Sequence, residues 1–110
     1  MLKKTIKPWG YEILLELNSK YVLKKLFIKK NCRCSLQYHN FKVETIYVLS
    51  GLLEIEVNSH KKKYKKGEFI TIKNKIIHRM KSLEKNTLYL EASTPHLKDV
   101  IRIEDDYKRI

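Results

Sequence analysis

In the stretch LQYHNFKVETIYVLSG, residues 36–51, a histidine stands five positions before a glutamate, and a second histidine follows in IIHRM, residues 76–80. His39, Glu44 and His78 are types that ligate first-row divalent metals, each imidazole through a ring nitrogen and the carboxylate through oxygen. On an extended strand Gln37, His39 and Phe41 project to one face, and a turn through Lys42 and Val43 brings Glu44 back beside them. Two imidazoles and a carboxylate from adjacent strands make a facial triad with open positions, the arrangement of a catalytic divalent centre. Spacing alone equally fits a histidine that hydrogen-bonds in a core or at a surface.

The elements that must position these residues are strands. YEILLEL (11–17), YVLKKLFI (21–28), ETIYVL (44–49), LLEIEV (52–57), EFITIK (68–73) and TLYLEA (87–92) are short and rich in β-branched, aliphatic or aromatic residues, with His78 opening a further strand. In LLEIEV, Leu53, Ile55 and Val57 share one face and Glu54 and Glu56 the other, as in a half-buried strand. Turn formers separate the runs at NSK, SG, NSH, KKG, KNK and EKN. Short strands about 8 to 12 residues apart predict an all-β sandwich or barrel, with no helix beyond a possible turn near residues 95–100.

The 110 residues fit one domain, 1–110, around one core, and 43% hydrophobic with 33% charged residues excludes a compositionally disordered chain. No apolar run reaches the roughly 18 residues of a membrane span, and MLKKTIKPWGYE lacks the apolar centre of a signal peptide, so the expectation is a cytosolic protein with no membrane partner. The formal charge of +12 suits an anionic partner, a phosphorylated small molecule included. Arginine, the residue nucleic-acid readers favour, occurs only at positions 33, 79, 102 and 109, and the dense HKKKYKK cluster (60–66) reads as a solvated hairpin; no nucleic-acid partner is expected. Cys32 and Cys34, two apart on a strand, have parallel side chains and Cα atoms about 6.5 Å apart, near the limit for a disulfide, so no bridge is expected.

KPWGYE (7–12), SLQYHNFKVE (35–44), VLSG (48–51), IIHRM (76–80) and VIRIEDDYKR (100–109) together resemble the cupin domain of the type II mannose-6-phosphate isomerases, over nearly the whole chain. The resemblance implies a cupin double-stranded β-helix, a jelly roll of two antiparallel sheets over residues 7–94 with 100–109 lying across it. It maps metal ligands onto His39, Glu44 and His78. Family members usually read His-x-His, and the second histidine falls on Phe41 here; the site then has three protein ligands plus water or Gln37, and holds zinc or another first-row ion weakly. Lys42 replaces an arginine, and Lys73 and Lys75 stand where the family tends to carry proline and glycine.

The implied activity is aldose–ketose isomerisation of mannose 6-phosphate or a related sugar phosphate, in which a base moves a proton between C1 and C2 through an enediol. Glu91 and Glu44 are the candidate bases. For the phosphate, Lys42 is the first choice and Arg102 the second, with Gln37 also placed to meet substrate; Arg79 should point away from His78. The same residues also fit an isomerase or epimerase of another activated sugar, or a non-catalytic sugar-binding cupin. A homodimer is expected, with KPWGYEILLEL the candidate for pairing with a partner's sheet.

Overall fold

Alternation of apolar and polar side chains becomes eleven strands in the computed structural model, which describes residues 2–110. In chain order they are β1 (Lys3–Lys7), β2 (Gly10–Leu17), β3 (Val22–Ile28), β4 (Leu36–Tyr38), β5 (Glu44–Ser50), β6 (Leu52–Val57), β7 (His60–Lys65), β8 (Phe69–Ile72), β9 (His78–Ser82), β10 (Thr87–Ser93) and β11 (Ile101–Glu104). They form a six-stranded sheet, β1-β2-β3-β10-β5-β8, and a five-stranded sheet, β11-β4-β9-β6-β7. Every pairing between strands is antiparallel. The expected two-sheet jelly roll is the observed fold. No helix occurs among the described residues, and none is long and apolar enough to cross a membrane.

Period-two patterning decides what lies between the sheets. Along β10, Thr87, Tyr89, Glu91 and Ser93 are buried, whereas Leu88, Leu90 and Ala92 face outward. The inner faces meet in a core that includes Ile28, Ile46, Val48, Leu53, Ile55 and Tyr89, each at most 1% exposed. Each such side chain contributes roughly 1.5–3 kcal/mol by leaving water. The tight β5–β6 connection needs its glycine: Gly51 has φ +90°, and a Cβ there would sit 2.4 Å from the Asn86 carbonyl oxygen.

Residues 95–100 form the expected turn, which delivers Asp99 to the loop after β4. Two elements differ from the sequence reading. Residues 101–104 do not merely lie across the barrel but extend the five-stranded sheet by pairing with β4. That end is tied down by Arg33, which donates two bonds to Asp106 at 2.7 and 2.8 Å, and by Arg79, which donates to the Glu104 carboxylate at 2.9 Å. KPWGYEILLEL is not an open edge either, because β2 is paired on both sides, by β1 and β3.

HKKKYKK supplies β7, the edge of the five-stranded sheet, where Tyr64 enters the core and Lys61, Lys63 and Lys65 stay exposed. Cys32 and Cys34 remain unbridged, as expected.

Candidate metal centre

β5 begins at Glu44, so its first inward side chain lies at the end of the barrel, 2% exposed. β9 begins at His78, fully buried and held opposite Gln37 of β4 by strand pairing. His39 follows directly after β4 and is 4% exposed. Three strand ends thus place one donor each at one point, and a donor atom from each residue lies within 4.8 Å of the other two.

The hydrogen bonds behind the ligands set the tautomers. His78 Nδ1 donates to the Ile76 carbonyl at 2.8 Å, and His39 Nδ1 donates to the Asp99 carbonyl. Each imidazole therefore turns Nε2 inward, the atom that would ligate a metal once deprotonated. These two nitrogens lie 3.5 and 2.9 Å from Glu44 Oε1, yet all three atoms are buried without a hydrogen-bond partner. With both Nε2 atoms deprotonated, three electron-rich atoms face one another away from water, a cost that a cation between them would remove. The residues fit a first-row divalent ion.

Beside this triad lies a chain of buried charge. Lys42 Nζ is 3.0 Å from Glu91 Oε2 and 3.5 Å from Glu44 Oε2. Burial works against the Lys42 ammonium, but the Glu91 and Glu44 carboxylates outweigh it and raise its pKa far above the ordinary lysine value. Burial likewise opposes the charge on Glu44, but the His39 and His78 rings beside its Oε1, with Lys42 behind, hold it well below the usual carboxylate range. Glu91 goes the other way: burial, then the charge of Glu44, push its pKa up to about 7.

A cavity of about 220 Å³ runs from this cluster between the sheets, lined among others by Gln37, His39, Lys42, Glu91, Arg102 and Arg109. Arg102 lies opposite Gln37 in the β11–β4 pair, and its buried Nε has no partner. Gln37 accepts a 2.9 Å bond from Ser35. Arg79 points away from His78, as alternation requires, and donates to the Cys34 carbonyl at 3.0 Å.

Two positions behave differently from the sequence expectation. Phe41 is 68% exposed and its ring lies 6.0 Å from the His96 ring, so it is turned away from His39, Glu44 and His78. The alternation that would have turned it inward ends with β4 at Tyr38, after which the chain bends. The inward neighbour of His39 along the chain is Gln37. Lys42, first choice for a phosphate, is instead enclosed between two carboxylates.

Asp99 escaped the sequence reading altogether. Its carboxylate accepts the backbone N–H groups of Asn40 at 3.0 Å, Phe41 at 2.7 Å and Lys42 at 3.0 Å, while its own carbonyl receives His39. One residue so fixes the loop that carries a metal donor and the central lysine. Asp99→Ala should weaken metal binding about 10- to 100-fold, the range for losing support behind a ligand. Competition with a chelating dye measures it, with Asp99→Asn, which keeps one acceptor oxygen, in between.

Comparison with known proteins agrees with this architecture. The chain is 26% identical over 111 residues to the xanthan biosynthesis protein XanB of Xanthomonas campestris, and 26% identical over 114 residues to the mannose-1-phosphate guanylyltransferase ManC of Salmonella typhimurium. These alignments take in 97% and 100% of the chain but only 24% of either relative, so it spans about a quarter of their length. An RmlC-like cupin from Shewanella frigidimarina superposes with a TM-score of 0.78 over 89% of this chain and 87% of that one, at 13% identity. Residues 1–105 match the family model described as the C-terminal domain of mannose-6-phosphate isomerase, and the chain belongs to that family of cupins.

Proposed function

We propose that this cupin is a sugar-phosphate isomerase that interconverts mannose 6-phosphate and fructose 6-phosphate, or a related aldose–ketose pair, in carbohydrate biosynthesis. The observation that carries the reading is the convergence of the orphaned His39, Glu44 and His78 donor atoms beside a cavity whose wall includes His39, Glu91 and Arg102. His39, Glu44 and His78 would hold a divalent ion, which would supply Lewis acidity at the substrate carbonyl.

The chain's own residues do the rest. Glu91, a buried carboxylate on the cavity wall, is the base that takes the proton from one of C1 and C2 and returns it to the other. Lys42, 3.0 Å away, orients that carboxylate and stabilises its ionised form. Glu44 is committed to the imidazoles and so is the weaker candidate. Gln37, its amide oxygen occupied by Ser35, offers its NH2 group to a sugar hydroxyl. Arg102 takes over the phosphate role, because Lys42 is already paired and the buried Arg102 Nε is not. We place the activity in the cytosol, a reducing compartment that suits the two unbridged cysteines.

A coupled assay for fructose 6-phosphate formation, run on the full chain reconstituted with zinc, manganese or cobalt, tests the reading. Turnover of mannose 6-phosphate but not of mannose is expected, with Arg102→Ala raising KM about 10- to 100-fold, the equivalent of one charge-assisted hydrogen bond. Tight binding of mannose 6-phosphate without turnover under any of the three metals would replace the isomerase with a sugar-binding cupin.

A further inference from the structure

Buried charge continues along the cavity wall beyond the groups that the isomerase chemistry uses. In β3 the buried side chains are Val22, Leu26 and Ile28, so alternation turns Lys24 inward with them. Lys24 stands directly opposite Glu91 of β10, on the side of that strand away from β5 and its Glu44. In β2, Glu12 stands opposite Leu26, which makes Glu12 and Lys24 diagonal neighbours on the inner face, within reach of long side chains. Lys24 Nζ donates to both Glu12 oxygens, at 3.3 and 3.4 Å, and Lys7 Nζ lies 3.9 Å from Glu12 Oε1. The Lys24 and Glu12 side chains are only 14% and 17% exposed, and both line the cavity together with Trp9.

We propose that Glu12 and Lys24 are a specificity-determining pair that binds two neighbouring sugar hydroxyls, those on C3 and C4, an inference that rests on the sugar-phosphate reading of this cavity. Neither proton transfer by Glu91 nor phosphate binding by Arg102 employs them. As a purely structural ion pair they would add little, because desolvation offsets much of the attraction in a half-enclosed site. A hydroxyl both donates and accepts, so a vicinal diol complements an ammonium beside a carboxylate: one oxygen accepts from Lys24 and the other hydroxyl donates to Glu12.

Placement selects which hydroxyls these are. Neighbouring strands lie about 4.8 Å apart, so Lys24 is one strand spacing from the base and Glu12 one further. A sugar whose C1 and C2 meet Glu91 therefore brings the next carbons of its chain towards the pair. C3 and C4 are unchanged by aldose–ketose isomerisation, so contacts there hold substrate and product alike. A phosphate is disfavoured at this point, since Glu12 repels it and already shares Lys24 and Lys7, whereas the buried Arg102 Nε has no partner.

Trp9 is the only tryptophan of the chain and lies on the cavity wall, so its emission, with calorimetry beside it, reads ligand binding without need of turnover. Titration of the full chain should give mannose 6-phosphate about 10- to 100-fold higher affinity than its 3-deoxy and 4-deoxy analogues, the equivalent of one charge-assisted hydrogen bond each. That comparison needs no variant. Glu12→Ala and Lys24→Met should bind mannose 6-phosphate more weakly by a similar factor, lose most of the discrimination against the deoxy analogues, and bind inorganic phosphate like the parent. In the coupled assay Glu12→Ala should raise KM with little change in kcat, as for a contact made equally in the ground and transition states. Equal affinity of the parent for mannose 6-phosphate and both analogues overturns the proposal even if the sugar is turned over. Loss of inorganic phosphate binding in Lys24→Met also overturns it, by making the pair an anion site. Hydroxyl-selective binding without turnover removes the isomerase and leaves the pair standing, and a parent that binds no mannose 6-phosphate overturns both.

Discussion

Lys42→Met, stripped of metal with a chelator, should melt roughly 12–20 °C below the parent protein at pH 8. Among the described residues, its ammonium is the only one paired with both Glu44 and Glu91, each at most 5% exposed. Removing one partner of a buried ionic cluster costs about 3–5 kcal/mol, because the charges left behind have neither water nor a counter-ion. In a domain of this size each kcal/mol moves the melting temperature by about 4 °C or more.

The pH dependence has a definite sign. Burial and the Glu44 charge already raise the Glu91 pKa to about 7, and loss of Lys42 removes an opposing influence, so it rises further. A carboxyl that binds its proton more tightly folded than unfolded loses stability as pH rises through its folded pKa. The Lys42→Met deficit should therefore be largest above about pH 8 and narrow towards pH 6, where Glu91 is neutral. Adding Glu91→Gln should recover part of the loss at pH 8. A variant that melts with the parent at every pH would mean that Lys42 does not lie between the two carboxylates.

The second large effect concerns the metal. Saturating zinc or cobalt at about 100 times the dissociation constant should stabilise the parent by about 2.7 kcal/mol, a rise of roughly 10 °C in melting temperature. Glu44→Gln removes the charge and one electron-rich donor while keeping the shape, and the metal-dependent rise should disappear with the bound ion. His78→Ala should do the same, but it also empties a fully buried site and lowers the metal-free melting temperature. Phe41→His, at a position 68% exposed, should bind no better than the parent. Elemental analysis of the purified proteins reads the same outcomes as ions per chain. A Glu44→Gln protein that keeps its ion and its thermal shift would remove Glu44 from the ligand set.

The strands legible in the sequence are those whose alternation survives in the fold. ETIYVL, LLEIEV and TLYLEA each have one face in the core, and their observed ends fall within one residue of the pattern. β1, β4 and β11 were not delimited, because KKTIK, LQY and IRIE are too short or too polar to show a period, and neighbouring strands recruit them. His39, Glu44 and His78 were legible through residue type and family resemblance together. Phe41 was expected on the face of His39 because alternation was carried past Tyr38, where the strand has ended; Lys42 was chosen for its place beside the site, and its pairing with Glu91 reaches 49 residues along the chain and left no local signal. Asp99 left no local signal, since its contacts reach back 57 to 60 residues along the chain.

That long reach bears on when the centre can exist. The Asp99 bonds form a loop of nearly sixty residues, and β10, which must lie between β3 and β5, supplies Glu91 late in the chain. Closing loops of this length is slow and earns no stabilisation until the distant partners arrive, so folding should proceed on the millisecond-to-second scale of β-rich domains. In a growing chain that has exposed His39, Glu44 and His78 but not yet Asp99, the loop that carries His39 lacks the residue that fixes it. The geometry of the His39, Glu44 and His78 cluster is thus completed only when the last strands dock, so any ion it holds would be captured by the closed barrel and not by the nascent chain.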